Sequence, residues 1–83
     1  MTLSFLVEYF EVTGVLDMAP RGMIYVLRTE DGADWAVDLS KYRRPRRFLG
    51  RTLTVTGPRC GERVIKALRL YVHDDAGGGY WLW

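Results

Sequence analysis

His73 and Cys60 are the single histidine and the single cysteine of the chain, so any reaction chemistry must start from them. Covalent or acid–base catalysis needs a nucleophile, a base within hydrogen-bond reach and a group that orients the base. No serine stands beside either residue, and the set has too few parts. Cys60 lies between Arg59 and Arg63, and nearby cations favour a thiolate. The plain reading, a small residue in a "PRCGE" turn, accounts for it as well. His73, Asp74 and Asp75 are metal-binding types, but adjacent residues at a strand end do not converge on one ion. Gly77, Gly78 and Gly79 precede aromatics and not a Lys-Ser/Thr helix start, so they do not read as a phosphate loop. No catalytic residue, metal or cofactor is assigned. The sequence reads as non-enzymatic.

What remains is ionic and aromatic. Lys41 to Arg51 carries six of the twelve basic residues and no acid, leaving six bases against ten acids elsewhere. The total of +2 is thus +6 in one segment and −4 in the rest, a two-sided molecule suited to an oriented partner. Lys41, Arg43 and Arg44 precede Pro45 in an extended stretch. Arg46 and Arg47 fall on the first turn of the helix expected there, where cations oppose the helix dipole. Arg21 stands in an earlier turn, Arg28 on a strand, and Arg59 and Arg63 in or beside a later one. These cations would rim a face that also carries Asp34 and Asp38, which repel phosphate or pair with Arg43 or Arg44. Tyr25 is a stacking platform for a base if its ring points outward, and a core residue if it points inward with Leu27.

The elements that must position these groups are short. At 83 residues with 48% apolar side chains, the chain suits one small folded domain. "LSFLVEYFEVTGVLD" alternates with the period of a strand, although its first ten residues fit helical spacing nearly as well. Gly14 inside it marks a bend. "MIYVLRT", the hairpin signal "EDG" and "ADWAVDL" follow, with Trp35, Val37 and Leu39 on one face. "RTLTVTG" puts Leu53 and Val55 inward, and "RVIKALRLYV" is the last long strand. Pro45 and Gly50 bracket one brief helix whose buried side would be Phe48 and Leu49. Five strands with a short helix between the third and fourth is the order of an OB-fold, a small Greek-key barrel in the all-β class.

The chain also resembles small bacterial single-domain OB-fold proteins of unknown function. The resemblance rests on a strand-Gly start, a "DG-x-x-W" hairpin at Asp31 to Trp35, "LGRTLTVTG" at Leu49 to Gly57 and a closing "I-x-x-L" at Ile65 to Leu68. It spans roughly Val12 to Leu70, and it implies a fold without implying a chemistry.

Residues 1–72 are therefore expected to form the barrel and residues 73–83 a Gly-rich tail ending in Tyr80, Trp81, Leu82 and Trp83. That tail would fold back on the barrel, remain disordered, or anchor another chain, including a second copy in a homodimer. The apolar start is cut by Glu8 and Glu11 and lacks a basic leader, no run reaches a membrane span, and one cysteine makes no internal disulfide. A cytoplasmic location without membrane contact is the default. The functional expectation is a binding module for single-stranded or structured nucleic acid, held mainly by Arg43, Arg44, Arg59 and Arg63. The alternative is a protein-interaction or assembly module using residues 41–51 and the tail.

Overall fold

The computed structural model describes residues 9–20 and 24–83. Arg21 lies outside the described residues. Strand β1 (Tyr9–Met18) alternates as its sequence requires, with Val12 and Leu16 buried and Glu11, Thr13, Val15 and Asp17 exposed. Its first part, Tyr9 to Val15, pairs with Pro58 to Thr52 of β4 (Thr52–Gly61), and its last part, Val15 to Met18, pairs with Arg28 to Tyr25 of β2 (Tyr25–Arg28). Gly14 sits at this change of partner. A Cβ there would come within 2.7 Å of the Arg28 carbonyl oxygen, so only glycine lets the two strands cross so closely.

β2 and β3 (Trp35–Asp38) form the expected hairpin. Its turn is held by Asp31, whose carboxylate accepts from the Thr29 hydroxyl and from the Ala33 N–H, with Gly32 at φ 79°. β5 (Val64–Lys66) runs parallel to β3 and antiparallel to the end of β4. The ring β1-β2-β3-β5-β4 closes through β1–β4 pairing, a closed five-stranded barrel. Leu16, Leu27, Leu53, Val55, Ile65, Leu70 and Val72 are fully buried inside it. Each contributes roughly 1.5–3 kcal/mol relative to exposure.

Four details depart from the sequence reading. "RVIKALRLYV" is two strands, β5 and β6 (Arg69–His73), not one. At the break, Ala67 N–H bonds to the Asp38 carbonyl and Leu68 N–H to the Thr56 carbonyl, so the backbone is shared between both walls. The chain must turn there to close the barrel with β5 and continue along β4 with β6. The helix is one 3-10 turn, Pro45–Phe48, entered through Arg44 at φ 52° and left through Gly50 at φ 81°. In a single turn the first and last turns coincide, which removes the dipole argument for Arg46 and Arg47. Phe48 is buried, but Leu49 is 37% exposed. Trp35 is half-buried at a barrel end, its ring 6.2 Å from that of Phe10.

The tail forms a further strand, β7 (Gly79–Leu82), antiparallel to β6. Asp74 makes the turn, accepting from the N–H groups of Ala76 and Gly78, with Gly77 at φ 84°. Among the described residues, no helix is long and apolar enough to cross a membrane.

Candidate binding surface

The cations singled out in the sequence fall into three environments. Arg28 projects from the outer face of β2 and is bound on both sides, to Asp17 at 2.7 Å and to Asp34 at 2.9 Å. The hydrogen bond from Arg28, helped by the Met18 N–H, holds the Asp17 carboxyl below its ordinary range. The same bond raises Arg28. Asp34 is therefore spent on Arg28 and not on Arg43 or Arg44. Asp38 is lowered by hydrogen bonds from Ser40. On this face Arg28 is outnumbered by the Asp17, Asp34 and Asp38 carboxylates, and directly opposed Val26, Ala36 and Val64 form its middle row.

Arg59 and Arg63 lie at one end of β3. The Arg59 guanidinium stands 5.4 Å from the centre of the Phe10 ring, and the Arg63 carbonyl accepts from the Ala36 N–H at 2.8 Å. Arg43 and Arg44 leave the other end of the same strand, past Asp38. Roughly 10 Å of extended backbone separates the two pairs. They are not one cluster. Arg43 and Arg44 are exposed and make no ion pair among the described residues. Lys41 reaches the Leu68 carbonyl with its ammonium. Tyr25 takes the inward alternative: it packs against the core beside Leu27 and lines a cleft of about 660 Å³ with Ile24, Tyr42, Pro45 and Val64.

The third environment was only half visible in the sequence. β6 alternates Arg69, Tyr71 and His73 outward with Leu70 and Val72 inward, and β7 sets Trp81 directly opposite Tyr71. Tyr71 meets Trp81 edge-on at 4.9 Å and His73 edge-on at 4.8 Å, while Trp81 and Trp83 stack at 5.9 Å with 21° between their planes. The Arg69 guanidinium lies 5.9 and 5.7 Å from the two indole centres. His73 Nε2 shares a 2.7 Å hydrogen bond with the Thr54 hydroxyl, which in turn bonds Thr13 at 2.7 Å. No group of three or more His, Cys, Asp or Glu is placed to hold a metal among the described residues. Trp83 is 71% and Trp81 45% exposed. Arg69 and Tyr71 escaped the sequence reading, although their alternation and the Asp- and Gly-rich stretch from Asp74 to Gly78 were signals for this hairpin.

One bond joins the two candidate elements. The Tyr42 hydroxyl donates to the Leu82 carbonyl at 3.0 Å, which fixes the end of the aromatic strand against the basic segment. Burial pushes the Tyr42 phenol upward. A family model described as a protein of unknown function, DUF5818, matches residues 13–72. The chain belongs to the DUF5818 family. The DUF5818 match covers β1 from Thr13 onward and the rest of the barrel with Arg69 and Tyr71, while Trp81 and Trp83 lie beyond it. No curated protein and no solved structure matches the chain.

Proposed function

We propose that this protein is a non-enzymatic binding module of the OB-fold type whose ligand is single-stranded nucleic acid. The closing order β1-β2-β3-β5-β4, with a long first strand shared by both sides, supports the fold assignment. The ligand reading rests on one observation: Tyr42 ties the Trp81–Trp83 stack to the segment that carries Arg43 and Arg44. Sequence-tolerant single-strand binding combines aromatic faces for bases with cations for the backbone. Arg69 stands beside both indoles, so phosphate contacts would come from Arg43, Arg44 and Arg69. The acidic outer face of β2 and β3 offers neither a free cation nor an aromatic among the described residues and is not part of this track.

Three phosphate contacts give a log–log salt slope of about −2 for a single strand, at about −0.7 per contact. Titration of a labelled oligothymidylate at two salt concentrations measures this slope. Absence of binding at low salt overturns the reading. In that event the same surface supports the second reading, a protein-interaction module, because Trp, Tyr and Arg dominate protein interfaces.

A further inference from the structure

Among the described residues, closure of the barrel pairs most strand edges and leaves the outer edge of β7 open. Within the described residues β2 to β6 each have a neighbour on both sides, β1 is paired with β4 alone over Tyr9 to Gly14, and β7 pairs with β6 alone along its whole length. No backbone hydrogen bond beyond β6 reaches Gly79 to Trp83 among the described residues. Free edges are templates for another chain, and proteins blunt them with charges, prolines or bulges. β7 has none of these: "GYWLW" is uncharged, lacks proline and keeps an unbroken register with β6. It also exposes Tyr80, Trp81 and Trp83 at 48%, 45% and 71%.

We propose that the occupant of this edge is a second copy of the chain, paired antiparallel through β7 with Trp81 opposite Trp81 across a two-fold axis. The register follows from the ladder. The Asp74 N–H bonds to the Gly78 carbonyl, so Gly78 and its alternates Tyr80 and Leu82 turn their backbone groups toward β6. Gly79, Trp81 and Trp83 then turn theirs to the free edge. Centring on Trp81 matches all three outward positions: each Trp83 faces a Gly79, over which the Tyr71 ring already lies, so the incoming indole would meet that ring. Tyr80 faces Leu82 on the other side of the strand. The side chains of the segment are neutral, so none of them repels its counterpart, and a two-fold contact requires such self-complementarity.

The size of the contact sets its strength. At these exposures the three aromatics offer roughly 400 Å² per chain, from about 150–250 Å² for a whole aromatic side chain. Two copies then bury at most about 800 Å² of side-chain surface, below the range of permanent interfaces. The dimer is therefore weak and concentration-dependent. It leaves the Tyr71–Trp81 faces side by side across the axis.

Sedimentation equilibrium of the full chain from micromolar to near-millimolar concentration tests the proposal. The expected mass rises from the 9.6 kDa of one chain toward twice that value. Trp81→Lys sets two like charges opposite each other at the axis and should weaken association at least tenfold. Because loss of the Trp81–Tyr71 contact loosens β7, amide exchange on the unaltered protein supplies a second reading. The Trp81 and Trp83 amides should exchange more slowly as concentration rises, while those of β1 and β4 stay constant. A mass of one chain throughout, concentration-independent exchange in β7, or a folded Trp81→Lys variant that dimerises undiminished overturns the proposal.

Discussion

Tyr42 and Leu82, 40 residues apart in sequence, are joined by a 3.0 Å hydrogen bond from the phenol to the backbone carbonyl. Through this bond, a segment read as a basic connection and a tail read as a separate appendage become one surface. Tyr42→Phe removes the donor and keeps the ring, so stability should fall by about 0.5–1.5 kcal/mol, the usual net worth of one such bond. Exchange of the β7 amides should increase more than that of β4. Because burial raises the Tyr42 phenol, its contribution is present below about pH 10 and is lost as pH rises through the folded-state value. Urea unfolding between pH 8 and 11 should show that loss in the native chain and less of it in Tyr42→Phe.

Acid should act through the carboxylates whose pKa values are lowered. Asp17 is held down chiefly by Arg28, Asp31 by the Thr29 hydroxyl and Asp38 by Ser40. Each favours the ionised form in the folded state, so its contribution is present above about pH 4 and is lost as pH falls through the folded value. Stability measured from pH 7 to 2 should decline below about pH 4. Asp17→Asn should make that decline shallower, and the effect should weaken in high salt because the Asp17–Arg28 pair is exposed.

Gly57 and Gly14 should differ in their intolerance of a side chain. A Cβ at Gly57 would overlap the Lys66 carbonyl where β4 passes beneath the β5–β6 break, and a Cβ at Gly14 would lie 2.7 Å from the Arg28 carbonyl. Backbone cannot move aside as a flexible side chain can. Gly14→Ala should cost about 1–3 kcal/mol and Gly57→Ala more, by denaturant midpoint. Equal or negligible losses would contradict the close crossings.

Thr56 offers a gain. Its hydroxyl, opposite Arg69 on β4, is buried without a hydrogen-bond partner among the described residues. An unsatisfied buried hydroxyl costs about 1–3 kcal/mol, and valine fills the same shape with a methyl group. Thr56→Val should therefore raise the thermal midpoint, read by circular dichroism.

The two arginine pairs should separate in binding. Arg43→Glu with Arg44→Glu should weaken an oligothymidylate strongly and reduce the salt slope by about 1.4, for two contacts at about 0.7 each. Arg59→Glu with Arg63→Glu, at the far end of β3, should have much less effect. Equal effects would show that the strand follows β3 and not the Trp81–Trp83 stack.

Local alternation and turn chemistry were enough for most of the barrel. Val37, Leu39, Leu53 and Val55, read as inward from their alternation, are buried because a two-residue period has only two ways to face, while Trp35 on the same face is only half-buried. The Asp31-Gly32 hairpin and the bend at Gly14 were legible for the same reason, since a turn is written in the residues that make it. Partnership across long sequence distances was not. The division of the last strand into β5 and β6 comes from two walls competing for one backbone, which no local pattern contains. The pairing of Arg28 with Asp17 and Asp34, leaving Arg43 and Arg44 without an ion pair among the described residues, depends on which strands became neighbours. The aromatic tail could be read from the chain as buried, free or shared. Its place beside β6 and against Tyr42 was decided by tertiary structure alone, because a hydrogen-bonded edge and a donor 40 residues away exist only once the barrel has closed.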